Sequence, residues 1–275
     1  MKKQGFVKSV VRYIILIILS IIMFFPFYWM IITAFKTFGE AMLFPPTMVP
    51  ESLYTSNFIT VLYEADIMRY MINSLIVTVS QLIACLIITI LGAFALARLN
   101  IKGKNLILAF MLSLTMIPFE LIVLTNFRTI INIGLHDNLL ALIIPFVANV
   151  FYVIILRNNF LASSSALYYS AKIDGASDSR YLWKILVPLS KPTLISIALF
   201  NVIASWNSFM WPFLVINSPR NRTWPFGLFA FATEQWTNVP LTMAASTITI
   251  LPVFVFFTLM RKHLVKSVYQ GGIKS

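Results

Sequence analysis

Along the chain, long apolar runs alternate with shorter polar stretches that hold nearly all of the charge. Six runs approach the ~20 residues that carry a helix through the ~30 Å hydrocarbon core of a bilayer. They are Tyr13–Phe35, Ser74–Leu96, Leu106–Leu124, Leu139–Leu156, Thr193–Val215 and Leu241–Met260. The pattern predicts an all-α integral membrane fold of six transmembrane helices, forming one domain over residues 1–275. Lys2, Lys3, Lys8 and Arg12 precede the first run as they would in a signal peptide. That run exceeds a secretory apolar core and no A-x-A site follows it, so it is read as a retained helix.

Two polar stretches are longer than the ~2–8 residues that usually join neighbouring helices. Lys36–Asn73, with Pro45, Pro46 and Pro50, reads as an ordered extracellular excursion. Arg157–Pro192 is the more informative. Ser163 to Ser165 offer N-cap oxygens, Ala166–Ile173 is helix-permissive, and Asp174-Gly175 is a stop and turn signal. Ser177-Asp178 begins a second helix with its acid where the macrodipole favours it. Tyr181, Leu182, Ile185 and Leu186 share one face of that helix, Arg180 and Lys184 share another, and Pro188 and Pro192 end it. On pattern alone, an interfacial helix pair capping the bundle and a docking element for a partner both fit.

Charge settles orientation. Assigning the polar stretches to alternate sides puts 16 of the 21 Lys and Arg on the side of Met1–Arg12, Ala97–Asn105, Arg157–Pro192 and the tail from Arg261. Basic loops mark the cytoplasm, so both termini are expected there. Composition agrees with a membrane chain: 59% hydrophobic and 11% charged residues, against roughly 45–50% and 25% in soluble domains. A net charge of +12 would suit a nucleic-acid binder, but its confinement to short loops excludes one. Cys85 is the sole cysteine, and with two histidines no Cys/His zinc set is available.

The run Ala171-Lys172-Ile173-Asp174-Gly175-Ala176-Ser177, followed by Ile185-Leu186-Val187-Pro188-Leu189 and Pro192, resembles the EAA loop of permease subunits in bacterial ATP-binding-cassette importers, in the form used by carbohydrate permeases of the maltose-transporter type. Further segments are similar in the same order: Phe25-Pro26-Phe27-Tyr28-Trp29-Met30 with Lys36, Asn73-Ser74-Leu75, Ala93 through Leu99, Met116-Ile117-Pro118, Ser205 through Phe209 with Trp211-Pro212, and the basic tail from Arg261 to Lys274. The resemblance implies a permease of the bacterial cytoplasmic membrane, with Leu167–Ile173 as a coupling helix. Leu167, Tyr169, Ser170, Ala171, Asp174, Gly175, Ala176 and Pro188 would be its ATPase-coupling residues. It also implies a second permease chain forming a heterodimer, two ATPase subunits that hold ATP and Mg, and an extracellular sugar-binding protein. The family usually has Glu-Ala-Ala where this chain has Tyr169-Ser170-Ala171, so shape and apolar area would replace a charge-assisted contact.

No G-x-x-x-x-G-K-[ST] run occurs, so no P-loop is expected and no cofactor is assigned to this chain. Glu120 is the one acidic residue placed within a span; a wet-cavity role and a structural hydrogen bond both fit it. Trp206, Asn207 and Trp211 combine stacking faces with hydrogen-bonding groups suited to sugar, and span aromatics serve equally as packing. With Asn73, these are the candidate pathway residues. The loop Ile216–Pro240, with Trp224 and Trp236, reads either as a contact surface for the binding protein or as an interfacial belt. An ion-coupled secondary carrier is the main rival, but it would favour internal repeats and several midplane carboxylates. A membrane enzyme would need a nucleophile or acid–base pair, and neither His136 nor His263 lies in an expected span.

Overall fold

A computed structural model describes residues 2–64, 66–234 and 238–272, and every regular element among them is helical. The chain runs through α1 (Lys2–Ala34), α2 (Phe38–Ala41), α3 (Ser56–Glu64), α4 (Ile67–Arg98), α5 (Lys104–Thr115), α6 (Phe119–Asn132), α7 (Leu139–Ile143) and α8 (Val150–Ala162). It continues through α9 (Ser165–Ile173), α10 (Asp178–Tyr181), a π-helical turn over Leu182–Leu186, α11 (Val187–Leu189), α12 (Lys191–Trp206), α13 (Met210–Val215), α14 (Trp224–Glu234) and α15 (Val239–Gly272).

Among the described residues, two helices are individually long and apolar enough to cross a bilayer: the Val10–Ala34 part of α1, and α4. Three other apolar stretches are bent pairs, namely α5 with α6 at 96°, α7 and its 3₁₀ extension with α8 at 42°, and the stretch Asp178–Leu189 with α12 at 79°. If each pair is one span the total reaches five, and α15 adds a shorter apolar stretch, Val239–Pro252. The expected third span is therefore two helices. Pro118 supplies no N–H and disfavours helical backbone at Ile117, so α5 stops at Thr115 and Pro118 becomes the extended N-cap of α6. The fifth run divides likewise, with α12 closing at Asn207 and α13 opening after Phe209.

The chain forms two compact units. The first comprises residues 1–68 and 227–254. The excursion after α1 is ordered there by buried polar groups. Lys36 lies over the Trp29 ring at 4.8 Å and donates to the Thr47 carbonyl. Glu40 accepts from the Thr47 hydroxyl and the Glu51 amide, each at 3.0 Å, while the Asn57 amide donates to the Ala34 and Lys36 carbonyls at 2.9 Å. A buried charge needs such partners, and here they hold a segment with little apolar core of its own.

The second unit comprises residues 69–226 and 255–275. One of its apolar clusters joins α4, α8, α9, α10, the π-helical turn and α12 through Cys85, Phe94, Phe160, Ala171, Tyr181, Leu186 and Ile197. Another, around Val77, Val123, Leu142, Trp211 and Phe226, gathers α4, α6, α7, α13 and the start of α14.

Candidate functional site

The loop 157–192 folds into a short helical lever. Ser164 caps α9 by accepting from the Ala166 amide, and Ser177 caps α10 by accepting from the Arg180 amide, both at 3.2 Å. Between them Gly175 takes φ +75°, with nothing within 4 Å of where a Cβ would stand. The left-handed backbone, not crowding, is what demands glycine. The Ala176 amide closes the turn on the Ala171 carbonyl at 2.8 Å.

A polar clamp locks the two helices together. The Tyr168 hydroxyl donates to Asp178 Oδ1 at 2.8 Å, Lys172 Nζ reaches the same oxygen at 2.8 Å, and the Tyr168 ring packs edge-on against buried Tyr181 at 5.0 Å. Lys172 holds the Asp178 carboxyl below its ordinary range, with the Tyr168 bond adding to the effect. Burial and then the bond to Asp178 raise the Tyr168 phenol, and Asp178 raises Lys172. Ala171 is buried, so α9 rests on the unit by one face. Tyr169 and Ile173 project from the opposite face and are 64% and 86% exposed, while Leu167, one turn before Ala171, is 46% exposed at the edge of the buried face. Ser170, Asp174 and Pro188 are also exposed, and Ala176 is half-buried.

The base of the lever is stapled. Arg98, at the end of α4, donates through Nη2 to the Phe160 and Ser163 carbonyls at 2.8 Å and to the Ser163 hydroxyl at 2.6 Å. These lie at the C-terminus of α8, where unpaired carbonyls and the negative dipole end favour a cation. Arg157 answers from α8 to the Leu96 carbonyl of α4 at 3.4 Å. Neither Arg98 nor Tyr168 was singled out from the sequence, because each acts on a partner that only the fold supplies.

At the other end of this unit, Asp137 organises the loop after α13 from a left-handed backbone, φ +56°. Its Oδ1 accepts from the Asn217 amide, the Ser218 amide and the Ser218 hydroxyl, all at 3.0 Å. Burial pushes its carboxyl up, but these bonds and one from Asn221 outweigh that and leave it below its ordinary value. Asn73 binds the same loop, its amide donating to the Arg220 and Arg222 carbonyls at 2.9 and 2.8 Å, and Ser74 Oγ accepts from the Trp224 amide at 2.7 Å. Trp236, Ile273 and Lys274 lie outside the described residues.

Of the other pathway candidates, Glu120 is exposed in the first turn of α6 and Asn207 is exposed at the end of α12. Trp206 Nε1 is buried without an acceptor. Trp211 is 2% exposed; its Nε1 donates to the Ala141 carbonyl at 2.9 Å, and its ring meets Phe119 and Phe146 edge-on. None of these lines the polar cavity of this unit, a space of about 140 Å³. Gln81, Asn149, Tyr152, Asn201, Ser205 and Ser208 line it instead. Asn201 and Gln81 carried a readable signal, as amides inside apolar runs.

Residues 87–269 match the family described as binding-protein-dependent transport system inner membrane component. The chain belongs to that family. Similar members include the arabinooligosaccharides transport system permease protein AraQ of Halalkalibacterium halodurans, 29% identical over 93% of each chain, and the diacetylchitobiose uptake system permease protein DasC of Streptomyces coelicolor, 30% identical over 94% of each. The inner membrane ABC transporter permease protein YcjP of Escherichia coli is 31% identical over 92% of each. Among solved structures, a chain of a bacterial ABC transporter involved in the import of the acidic polysaccharide alginate superposes with a TM-score of 0.79, at 24% identity, over 93% of this chain and 96% of that one. Its fold is shared. Membership makes this a multi-pass permease of the inner membrane and a transport component, not an enzyme.

Proposed function

We propose that this chain is one of two permease subunits, paired as a heterodimer, that form the translocation path of an ATP-driven importer of oligosaccharides. An extracellular binding protein delivers the sugar, and two separate ATPase subunits supply ATP and Mg chemistry. The sugar assignment is supported by relatives whose names specify arabinooligosaccharides and diacetylchitobiose. In this reading the chain crosses the membrane six times with both termini in the cytoplasm: α1, α4, α5 with α6, α7 with α8, α12 with α13, and α15, while Asp178–Leu189 stays on the cytoplasmic side.

The observation that carries the coupling role is the lever: a capped helix fixed at both ends, resting on buried Ala171 and offering Leu167, Tyr169 and Ile173 to a partner. Closure of the ATPase pair would press on α9, and the clamp to α10 would pass the displacement into α12. Tyr169 stands where a carboxylate is usual in the family, and its exposed ring suits a pocket on the ATPase.

The test is uptake in cells, with recovery of the ATPase on tagged permease. Tyr169→Ala should lower ATPase recovery by an amount corresponding to about 2–4 kcal/mol if the ring fills a pocket, and Tyr169→Glu should be tolerated better. Normal recovery and uptake with Tyr169→Ala would remove α9 from the interface. Uptake that follows an ion gradient and survives loss of the ATPase would replace the importer by a carrier.

A further inference from the structure

The polar cavity in the second unit has no role in the lever or the loop. Its lining is unusual for a helical membrane unit. Amide or hydroxyl groups of Gln81 on α4, Asn149 and Tyr152 at the start of α8, Asn201 and Ser205 in the second half of α12, and Ser208 just beyond it converge on about 140 Å³, and none of the lining residues is charged. Gln81 is fixed by donating to the Leu142 carbonyl at 2.6 Å, Asn149 by accepting from the Tyr152 amide at 3.3 Å, and Ser205 by its contact with the Thr78 hydroxyl at 3.2 Å. Asn201 differs from these. It is 93% buried, yet its Oδ1 has no hydrogen-bond partner, and an unmet buried acceptor is costly.

We propose that this cavity is a passage subsite for one neutral sugar unit, with Asn201 as a specificity-determining residue. The space would hold about five waters at ~30 Å³ each, or the ring of one monosaccharide in their place. Amides and hydroxyls exchange readily with sugar hydroxyls, and Phe146 adds an apolar wall for a ring face. Because no lining cation is present, a uronate carboxylate would enter without a counter-charge, so burial disfavours acidic sugars. The proposal rests on the sugar-import reading and adds to it the place and the charge class.

The test uses the assembled importer with its binding protein in proteoliposomes, offered arabinotriose, diacetylchitobiose, maltotriose and trimannuronate. The wild type should import at least one neutral sugar. Asn201→Leu and the cavity-filling Ala204→Phe should each cut that uptake tenfold or more with full ATPase recovery. In a Cys85→Ser background, alkylation of Ser208→Cys by N-ethylmaleimide should slow at least threefold during turnover with the transported neutral sugar. A wild type that imports none of the four overturns the import reading and the subsite with it. A wild type that imports only trimannuronate, or a neutral sugar moved equally well by both variants, overturns the subsite alone. If the two variants fail to assemble, Ser208→Cys decides: protection supports the subsite, and unchanged alkylation removes it.

Discussion

Gly175 carries the sharpest consequence of any single residue. At φ +75° a non-glycine residue costs about 1–2 kcal/mol, and a β-branched one more. Gly175→Val should leave membrane insertion intact, since no apolar run is touched, yet abolish uptake by turning α9 away from its partner. Normal uptake with full ATPase recovery would show the turn to be dispensable. The acids at the lever and at the loop after α13 predict a pH window. Asp178 and Asp137 titrate below their ordinary value, so their stabilisation is present above about pH 4 and fades as pH falls through the folded values. Lys172 and Tyr168 titrate above theirs, so their contribution persists at neutral pH and is lost in strong alkali, above about pH 10. Exchange protection at the Asn217 and Ser218 amides should be flat from about pH 5 to 9 and fall below about 4. Unchanged protection at pH 3 would mean that Asp137 does not hold the loop.

At the scale of elements, the staple between α4 and α8 makes Arg98 a positioning residue for the lever. Charged hydrogen bonds contribute roughly 1.5–3 kcal/mol each, and Arg98→Ala removes the donor of three. Arg98→Ala should lower the thermal midpoint of the purified permease and raise proteolysis between α8 and α9, with Arg98→Lys restoring part of both. Equal midpoints and cleavage rates for wild type and alanine would leave the staple without energetic weight. The helix caps were legible because capping is local: Ser164 falls within the expected Ser163–Ser165, and Ser177 was named directly. The break at Met116–Pro118 was hidden inside an unbroken apolar run, where the bilayer length rule overrode the proline. Asn73 looked like a path residue, but its bonds reach residues 147 and 149 positions away, and no pattern in sequence encodes that distance. Trp211 combined a ring with an N–H as a sugar site would, and packing took both.

For the whole molecule, the expected topology is testable by thiol labelling at exposed positions whose side chains hold no cap and no loop bond. Ser218 and Ser177 are occupied, one by Asp137 and the other by the cap of α10. Ser56 and Arg220 are exposed on one expected side and Ser179 on the other. In a Cys85→Ser background, an impermeant thiol reagent should label Ser56→Cys and Arg220→Cys in whole cells and spare Ser179→Cys. Labelling of Ser179→Cys would invert the orientation, and the lever would then face away from any cytoplasmic ATPase. The π-helical turn at Leu182–Leu186 bears on how such a lever could be geared. A π turn is an α-helix holding one residue too many, so the segment between the clamp and α12 stores a spare residue as slack. Its Tyr181, Leu182 and Leu186 are anchored in the core while Trp183 is exposed. Shortening the chain by Trp183 should therefore convert the turn to regular helix at little cost in assembly, and remove the slack. A drive train without play would transmit each ATPase stroke differently, so the ratio of ATP hydrolysed to sugar moved should differ between the wild type and the shortened chain; an equal ratio would leave the surplus residue without a part in the gearing.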